Sequence, residues 1–148
     1  MFRGNHPATI DEKARLKVPV AFKQQLDARL VTQVYVTSSD GRSAEIWPLE
    51  EWEKREALLL QHNMDESVQK YLNLTSYYGQ QVALDSQGRV LVPQILRGAA
   101  KLNGEVAVMG KINYLEVYNL AMLEEGLPAT AMNSDDRKAV AAVLSRQI

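Results

Sequence analysis

The sequence predicts an α+β fold, mainly β, in which one structural unit occurs twice. Residues 11–22 (DEKARLKVPVAF) and 85–96 (DSQGRVLVPQIL) share an aspartate, an arginine four residues later and a Val-Pro pair, 74 positions apart. Residues 45–49 and 116–120 form a second matching pair, 71 positions apart. The smaller separation indicates a shorter surface loop in the second copy. A duplication of this kind predicts two equivalent halves that complete one shared core.

Each unit is predicted to run strand, turn, strand, short helix, strand, strand. In the first unit, alternating apolar and polar residues at 8–10 and 16–18 indicate two strands around a tight turn at 11–15. Pro19 ends the second strand and suits the first turn of a helix that runs to about Leu26. The later strands, rich in β-branched and aromatic residues, are predicted at 30–37, 44–47, 82–84, 90–92, 106–109 and 114–118, with the second short helix from residue 93.

A helical connector and a tail complete the prediction. Apolar residues at helical spacing between the two units predict helices on both sides of residue 63, and residues 63–66 have a capping-box pattern. After residue 126, Ser134 is a candidate cap for a short helix, and a mobile tail is the alternative. The predicted divisions are a first repeat at 5–51, a connector at 52–78, a second repeat at 79–122 and a tail at 123–148.

The composition fits one soluble, globular domain of 148 residues. With 46% hydrophobic residues the chain has enough apolar material for a core, and 24% charged residues favour solubility. No apolar run approaches the roughly 20 residues that span a bilayer, and the first residues lack the layout of a signal peptide. The absence of cysteine excludes disulfides, thiolate metal sites and thiol nucleophiles. We therefore expect a cytoplasmic protein without a membrane partner.

Positive charge is concentrated in the first repeat, although the whole chain has a net charge of −1. Residues 1–29 carry six basic and three acidic side chains, whereas residues 30–84 carry four basic and eight acidic ones. This distribution describes either an ordinary solvated surface or, if the fold gathers the cations on one face, a patch that binds phosphate. The sequence pattern leaves both interpretations open.

The repeated Asp-x-x-x-Arg turn is the candidate functional motif, at 11–15 and 85–89. An aspartate at the start of a tight turn accepts hydrogen bonds from turn N–H groups or from the arginine. Gly88 supplies the left-handed conformation that such turns often need, whereas the first copy has Ala14. If Ala14 is left-handed, glycine there should stabilise the protein by about 1 kcal/mol or more. The arginines either tether the turns or present guanidinium groups to phosphate or base edges.

Four segments together resemble the MraZ family: Met-Phe-Arg-Gly at the start, the 11–19 segment, Pro-Leu-Glu-Glu-Trp at 48–52 and the 85–93 copy. The resemblance covers roughly residues 1–124. MraZ proteins are bacterial transcriptional regulators built from two SpoVT/AbrB-like repeats. The resemblance therefore implies a swapped-hairpin barrel in which both repeats of one chain form a pseudo-dimer. It also implies that several chains assemble into a ring-like homo-oligomer.

The resemblance further implies that the partner is double-stranded DNA and that the protein is nucleoid-associated. MraZ-like proteins bind short direct repeats in the promoter of their own operon, at the head of the division and cell-wall cluster. The motif places DNA contacts at Arg15 and Arg89. Lys13 and Lys17 are added because they flank Arg15, and for the same reason Arg15 is expected to contribute more than Arg89.

The remaining motif residues have other expected roles. Arg3, in the opening segment, is a candidate for either a DNA contact or a structural role. A carboxylate near phosphate is repelled, so the aspartates are expected to hold the turns without touching DNA. The residues expected to shape the turns are Asp11, Asp85 and Gly88.

Two other classes of function were weighed. An enzyme is disfavoured because the chain has only two histidines, His6 and His62, and lacks a phosphate loop, a nucleophile elbow and a zinc-protease motif. We therefore expect no cofactor and no small-molecule substrate. The acidic residues at 50–56, with Lys54 and Arg55, are interpreted as a solvated helix face and not as a metal site.

The alternative function is a protein-interaction module with the AbrB fold, antitoxin-like or a scaffold. The fold by itself does not exclude this class, because function depends on sites and not on folds. The connector helices argue against it, because small antitoxins make their barrel from two separate short chains. Binding to a promoter fragment at several salt concentrations would distinguish the two classes.

Overall fold

A computed structural model describes residues 1–146 of the chain. The strands are β1 (Asn5–Ile10), β2 (Arg15–Lys17), β3 (Gln33–Thr37), β4 (Ala44–Pro48), β5 (Gln80–Ala83), β6 (Arg89–Leu91), β7 (Gly104–Gly110) and β8 (Leu115–Asn119). The α-helices are α1 (Val20–Ala28), α2 (Leu49–Leu60), α3 (Glu66–Tyr77), α4 (Gln94–Ala99), α5 (Leu120–Gly126) and α6 (Ser134–Ser145), with a 3₁₀ helix at Leu127–Thr130. The order of elements predicted for the two repeats is confirmed, with bounds that differ by a few residues.

The eight strands form one antiparallel sheet in the order β5-β3-β4-β8-β7-β1-β2-β6. The turn between β5 and β6 brings the two end strands together, so the sheet nearly closes into a barrel. Strand β1 of the first repeat pairs with β7 of the second, and β5 of the second pairs with β3 of the first. Each repeat thus gives its first hairpin to the other, which confirms the predicted swapped-hairpin barrel.

Equivalent residues of the two repeats meet at two places in the sheet. In the β2–β6 pair, Leu16 lies opposite Val90, and in the β4–β8 pair Glu45 lies opposite Glu116. Leu16 and Val90 are 74 positions apart in the sequence, and Glu45 and Glu116 are 71 positions apart, so each pair consists of equivalent residues of the two repeats. A pseudo-twofold axis therefore passes through both strand pairs, which places the two repeated turns at opposite ends of the β2–β6 pair.

The interior of the barrel is apolar and is supplied by both repeats. Leu16 and Val90 are fully buried, and so are Phe22 of α1 and Leu96 of α4, the two short helices that follow the Val-Pro pairs. Because successive side chains of a strand point to opposite faces, the neighbours of Leu16 and Val90 point outward. The core thereby fixes which side chains of β2 and β6 face solvent.

The connector helices are held against the barrel by a small aromatic cluster. Trp52 of α2 is stacked on Tyr35 with ring centroids 4.8 Å apart, and its ring meets the edge of Trp47 at 5.5 Å. In α3 the carbonyl of Thr75 accepts hydrogen bonds from the hydroxyls of Tyr35 (2.9 Å) and Thr37 (2.7 Å). The helical connector is therefore a packed part of the domain.

Two predicted helix caps were wrong by one or two residues. Helix α3 is capped by Asp65, whose carboxylate accepts from the following turn, and not by Asn63. Helix α6 is capped by Asn133, which forms a capping box with Asp136, and not by Ser134. In both places two neighbouring residues have side chains able to cap, and the backbone conformation selects between them.

Arg55 lies on the exposed face of α2, as predicted, and it also contacts two aromatic rings. Its guanidinium carbon lies 5.0 Å from the ring centroid of Trp47 and 5.3 Å from that of Tyr71. Its Nε also donates to the Tyr71 hydroxyl at 2.9 Å. Arginine packs on aromatic faces while keeping hydrogen bonds, so it joins α2 to α3 here.

The tail is helical in the described residues. Helix α5 follows β8 directly, as α2 follows β4 in the first repeat. Helix α6 exposes three apolar side chains, those of Val140, Val143 and Leu144. The short helix predicted for the tail is therefore present, and all of its residues are exposed. The last two residues of the predicted tail, 147 and 148, lie outside the described residues.

Candidate nucleic-acid interface

The two Asp-x-x-x-Arg turns have the same hydrogen bonds. In the first, Asp11 Oδ1 accepts from the N–H groups of Lys13 and Arg15, both at 2.9 Å, and Oδ2 accepts from Arg15 Nε at 2.9 Å. In the second, the Asp85 carboxylate accepts from the backbone of residues 87 and 89 and, at 2.6 Å, from Arg89 Nε. Each carboxylate therefore fixes both the turn and the direction of its arginine.

The carboxylates of both turns are held in the charged form. Hydrogen bonding from the Arg15 backbone N–H is the largest influence that lowers the pKa of Asp11 below its usual value of 3.8. The Arg89 backbone N–H lowers the pKa of Asp85 in the same way. A carboxyl group with a lowered pKa in the folded state stabilises the fold above its unfolded pKa. This contribution is lost as the pH falls below about 3.8 and through the folded value.

The first turn contains an alanine in the left-handed conformation. Ala14 has φ 64° and Gly88, its equivalent, has φ 74°. The methyl group of Ala14 is nevertheless useful, because the residue is only 7% exposed. Glycine at 14 would relieve about 1–2 kcal/mol of strain, but it would lose about 0.8 kcal/mol of methyl burial and about 0.5–1 kcal/mol of chain entropy. From the structure we therefore expect Ala14→Gly to change the stability of the protein by close to zero, and not to stabilise it by the roughly 1 kcal/mol or more expected from the sequence.

We expect Gly88→Ala to destabilise the protein by about 1–2 kcal/mol, in contrast to Ala14→Gly. A Cβ built on Gly88 lies 2.6 Å from two side-chain carbons of Lys23, so the lysine must move as well as the backbone. That movement would disturb the ion pair between Lys23 and Asp27, now at 2.7 Å. Urea unfolding of both variants at one protein concentration measures the difference. Equal stabilities for Gly88→Ala and the parent would contradict the prediction.

Each turn is also joined to the other repeat. The Val18 N–H donates to the carbonyl of Gly88 at 3.0 Å, and the Val92 N–H donates to the carbonyl of Ala14 at 2.9 Å. These bonds continue the β2–β6 pairing beyond the three residues of each strand. The two turns and the two strands between them therefore form one rigid unit.

This unit places three predicted DNA contacts on one outward face. Lys17 lies directly opposite Arg89, and Arg15 lies opposite Leu91. Because Leu16 and Val90 point inward, these four residues point outward. Arg15 and Arg89 are diagonal neighbours, a relation that separates Cα atoms by about 7–8 Å. We call these four residues the ribbon face.

The two arginines have donors left for a ligand. Their side chains are 30% and 27% exposed, and each is held only through Nε. Within residues 1–146, no protein acceptor meets the two terminal Nη groups of either arginine. A guanidinium group whose two Nη groups have no protein partner can bind a phosphate or the edge of a guanine in a bidentate way.

Comparison with known proteins identifies the family. The model of the family described as "MraZ protein, putative antitoxin-like" matches residues 1–73 and 79–143. The transcriptional regulator MraZ of Acidobacterium capsulatum is 48% identical over 142 residues, which are 95% of this chain and 97% of that protein. The proteins of the same name from Koribacter versatilis and Neisseria meningitidis serogroup A are 46% and 35% identical, over 93% and 80% of this chain and 95% and 80% of their own lengths. The chain belongs to the MraZ family.

The family match confirms the resemblance and extends it. The motifs of the sequence covered roughly residues 1–124, whereas the MraZ model continues to residue 143 and so includes most of α6. Most of the tail therefore lies within the region that the family model matches. The relatives from Acidobacterium capsulatum and Koribacter versatilis match over 97% and 95% of their own chains.

Two predicted contacts lie apart from the ribbon face. Lys13 is exposed in the first turn, beside the face but outside the strand pair. Arg3 follows Phe2, which is buried and bridged to Ile112, and precedes β1. Because Asp11 lies just beyond the other end of β1, the six residues of that strand separate it from Arg3 by roughly 20 Å. The structure therefore does not bring Arg3 to the ribbon face.

Leu91 is the residue of the face that the sequence analysis missed. Its equivalent is Lys17, 74 positions earlier, and both follow the motif arginine by two residues. Alternation along the strand would have placed it outward with Arg89. The distribution of cations along the sequence does not indicate it, because the side chain is apolar.

The described residues give no sign of a metal site or of a membrane helix. Among residues 1–146, no group of three or more His, Asp or Glu side chains is placed to hold a metal ion. No helix of the described part of the chain is both long and apolar enough to cross a membrane.

Proposed function

We propose that this MraZ-family protein is a transcriptional regulator that binds double-stranded DNA through the ribbon face. The observation that carries the proposal is the pair of arginines on the outer side of β2 and β6, each bound to an aspartate through Nε, with no protein acceptor for the Nη groups among residues 1–146. Relatives at 46–48% identity that bear the name transcriptional regulator support the same conclusion.

The shape of the face suits the major groove of DNA. B-DNA admits a two-stranded β-ribbon in its major groove, which is about 12 Å wide. The β2–β6 pair is such a ribbon, with three cations on its outer side and rigid turns at both ends. Arg15 and Arg89 are assigned to base edges or phosphates, and Lys17 to phosphate. Lys13, in the adjoining turn, is assigned to phosphate as well.

The proposed target is a set of short direct repeats in the promoter of the protein's own division and cell-wall operon. One ribbon face offers few contacts, so the affinity for such a target needs several faces acting together. We therefore propose a ring-like homo-oligomer in the cytoplasm, associated with the nucleoid. Exposed apolar side chains support self-association, notably Leu58, Leu60 and Met64 of the connector and the apolar residues of α6.

Binding to the promoter fragment at several salt concentrations tests the DNA function. We expect the logarithm of the binding constant to fall steeply with the logarithm of salt, by about 0.9 for each phosphate neutralised. Lys17→Ala should lower this slope by about one unit at every DNA sequence. A chain that binds the promoter no better than unrelated DNA at all salt concentrations would instead favour the protein-interaction module.

Light scattering tests the assembly. At micromolar protomer concentration we expect a particle several times the 16.6 kDa of one chain. A mass of one protomer under these conditions would contradict the proposed ring. The measurement also provides the reference mass for every variant described below.

A further inference from the structure

We propose that Leu91 reads the methyl group of a thymine, which makes it a specificity-determining residue of the ribbon face. The inference rests on the proposed function, because it assumes that the face meets the major groove. It assigns to one apolar side chain a role that the cations around it do not have. The argument comes from its register, its exposure and the chemistry of base edges.

Leu91 is the one apolar side chain among the four residues of the ribbon face. It is 43% exposed on the outer side of β6, directly opposite Arg15 and two residues after Arg89. Isolated exposed leucines are ordinary on protein surfaces, so exposure alone means little. The position is informative because its immediate neighbours on the face are the two arginines and Lys17. A ligand drawn to the cations necessarily approaches the leucine.

Of the chemical groups on DNA, one fits this side chain. Phosphates and sugars are polar, and most groups of the major-groove base edges are hydrogen-bond donors or acceptors. The C5-methyl group of thymine is the apolar exception, and apolar side chains recognise it by contact. The arginine beside the leucine prefers guanine O6 and N7. The ribbon face is thus suited to a short element in which a thymine lies next to a guanine.

The inference also gives the element a direction. The pseudo-twofold axis relates Lys17 to Leu91, so the two halves of the face are unequal in chemistry although they are equal in backbone. The Lys17 half binds phosphate without regard to sequence, and the Leu91 half discriminates bases. One protomer therefore reads a non-palindromic element.

Replacement of thymine by uracil tests the contact at a single methyl group, because the two bases differ only there. The probe is the promoter fragment upstream of the protein's own gene, made with deoxyuridine at one thymine position of each repeat in turn. With the parent protein we expect one position at which the change weakens binding about fourfold per repeat, as the burial of one methyl group predicts. With Leu91→Ala the same change should have no effect.

Leu91→Lys is a second variant, and we expect it to fold like the parent because a lysine, Lys17, occupies the equivalent position of the first repeat. We expect this protein to lose the uracil effect and to gain up to about 0.9 in the slope of binding against salt. The matched control is Ile95→Ala, since Ile95 is an exposed aliphatic residue of the neighbouring helix α4. This variant should keep the uracil effect.

The outcomes separate the inference from the proposed function. If the parent fails to bind the promoter specifically, the proposed function fails. If the parent binds specifically but no thymine position depends on Leu91, the inference alone is overturned. A smaller particle mass for Leu91→Ala in light scattering would assign the side chain to a contact between protomers and would also overturn it.

Discussion

Arg15→Ala is expected to abolish specific binding to the promoter and to leave the fold and the assembly unchanged. The side chain contributes two free Nη groups to the ribbon face, and alanine removes both. A good bidentate contact to a guanine is worth about 1–3 kcal/mol, or roughly 5- to 150-fold in affinity. In an assembly that uses several faces at once, the loss is multiplied over the faces, so binding falls below detection.

The fold should tolerate this change because the aspartate has other partners. Asp11 still accepts hydrogen bonds from two backbone N–H groups after Arg15 is removed. The lost ion pair is partly exposed, and pairs of this kind contribute little to stability. Circular dichroism and particle mass should therefore match the parent. Arg137→Ala on the exposed helix α6 is the matched control, and it should bind like the parent.

Arg15→Lys separates charge from geometry. Lysine keeps the positive charge but cannot form the planar, bidentate contact of a guanidinium group. We expect this variant to keep salt-dependent binding to any DNA and to lose the preference for the promoter. Parent-like specificity in Arg15→Lys would show that residue 15 contacts only phosphate. Parent-like specificity in Arg15→Ala would show that the DNA-binding surface lies elsewhere.

The structure reduces the difference that we expect between the contributions of Arg15 and Arg89 to DNA binding. The sequence predicts a larger role in DNA binding for Arg15, because Lys13 and Lys17 flank it along the chain. In the sheet, however, Lys17 lies opposite Arg89 and so belongs equally to its surroundings. The larger role of Arg15 now depends on Lys13 alone, where the second turn has Gln87. We still expect Arg89→Ala to be the milder change.

The barrel could be predicted because its signals are local or repeated. Alternation defined the strands, Val-Pro pairs ended β2 and β6, and the duplication predicted that each half completes the other. The caps could not be predicted to the residue because Asp65 and Asn133 each have a neighbour of similar chemistry. Helical periodicity places Arg55 correctly on the exposed face of α2, but its stacking on Trp47 depends on tertiary contacts that a single helix pattern does not contain.

The candidate site could be predicted in its residues but not in its arrangement. Both turns and both arginines follow from the repeated motif. The pairing of β2 with β6, which makes one face of two repeats, requires the register of strands 74 residues apart in sequence. The same register separates Arg3 from the face and brings Leu91 into it. No pattern within a single repeat contains that information.

The second large effect is expected at the connector. Trp52→Ala should destabilise the protein by about 3–5 kcal/mol, the usual cost of removing a large aromatic side chain from a packed site. Trp52 is 3% exposed, and among the residues of helix α2 it is the one that is buried. Its ring contacts Tyr35, Trp47 and Tyr71, so alanine would leave a cavity between three aromatic side chains.

Urea unfolding at one fixed protomer concentration measures the effect, because the apparent stability of an oligomer depends on concentration. Trp52→Phe keeps an aromatic ring against Tyr35 and should cost clearly less than alanine. Glu53→Ala, an exposed position on the same helix, should change the free energy of unfolding by no more than about 0.5 kcal/mol. If Trp52→Ala were as mild as Glu53→Ala, the connector would be held to the barrel by the Thr75 carbonyl and the Arg55 contacts, without need of the indole. If Trp52→Ala instead lowers the free energy of unfolding by the expected amount, the indole ring makes the largest contribution to packing the connector against the barrel.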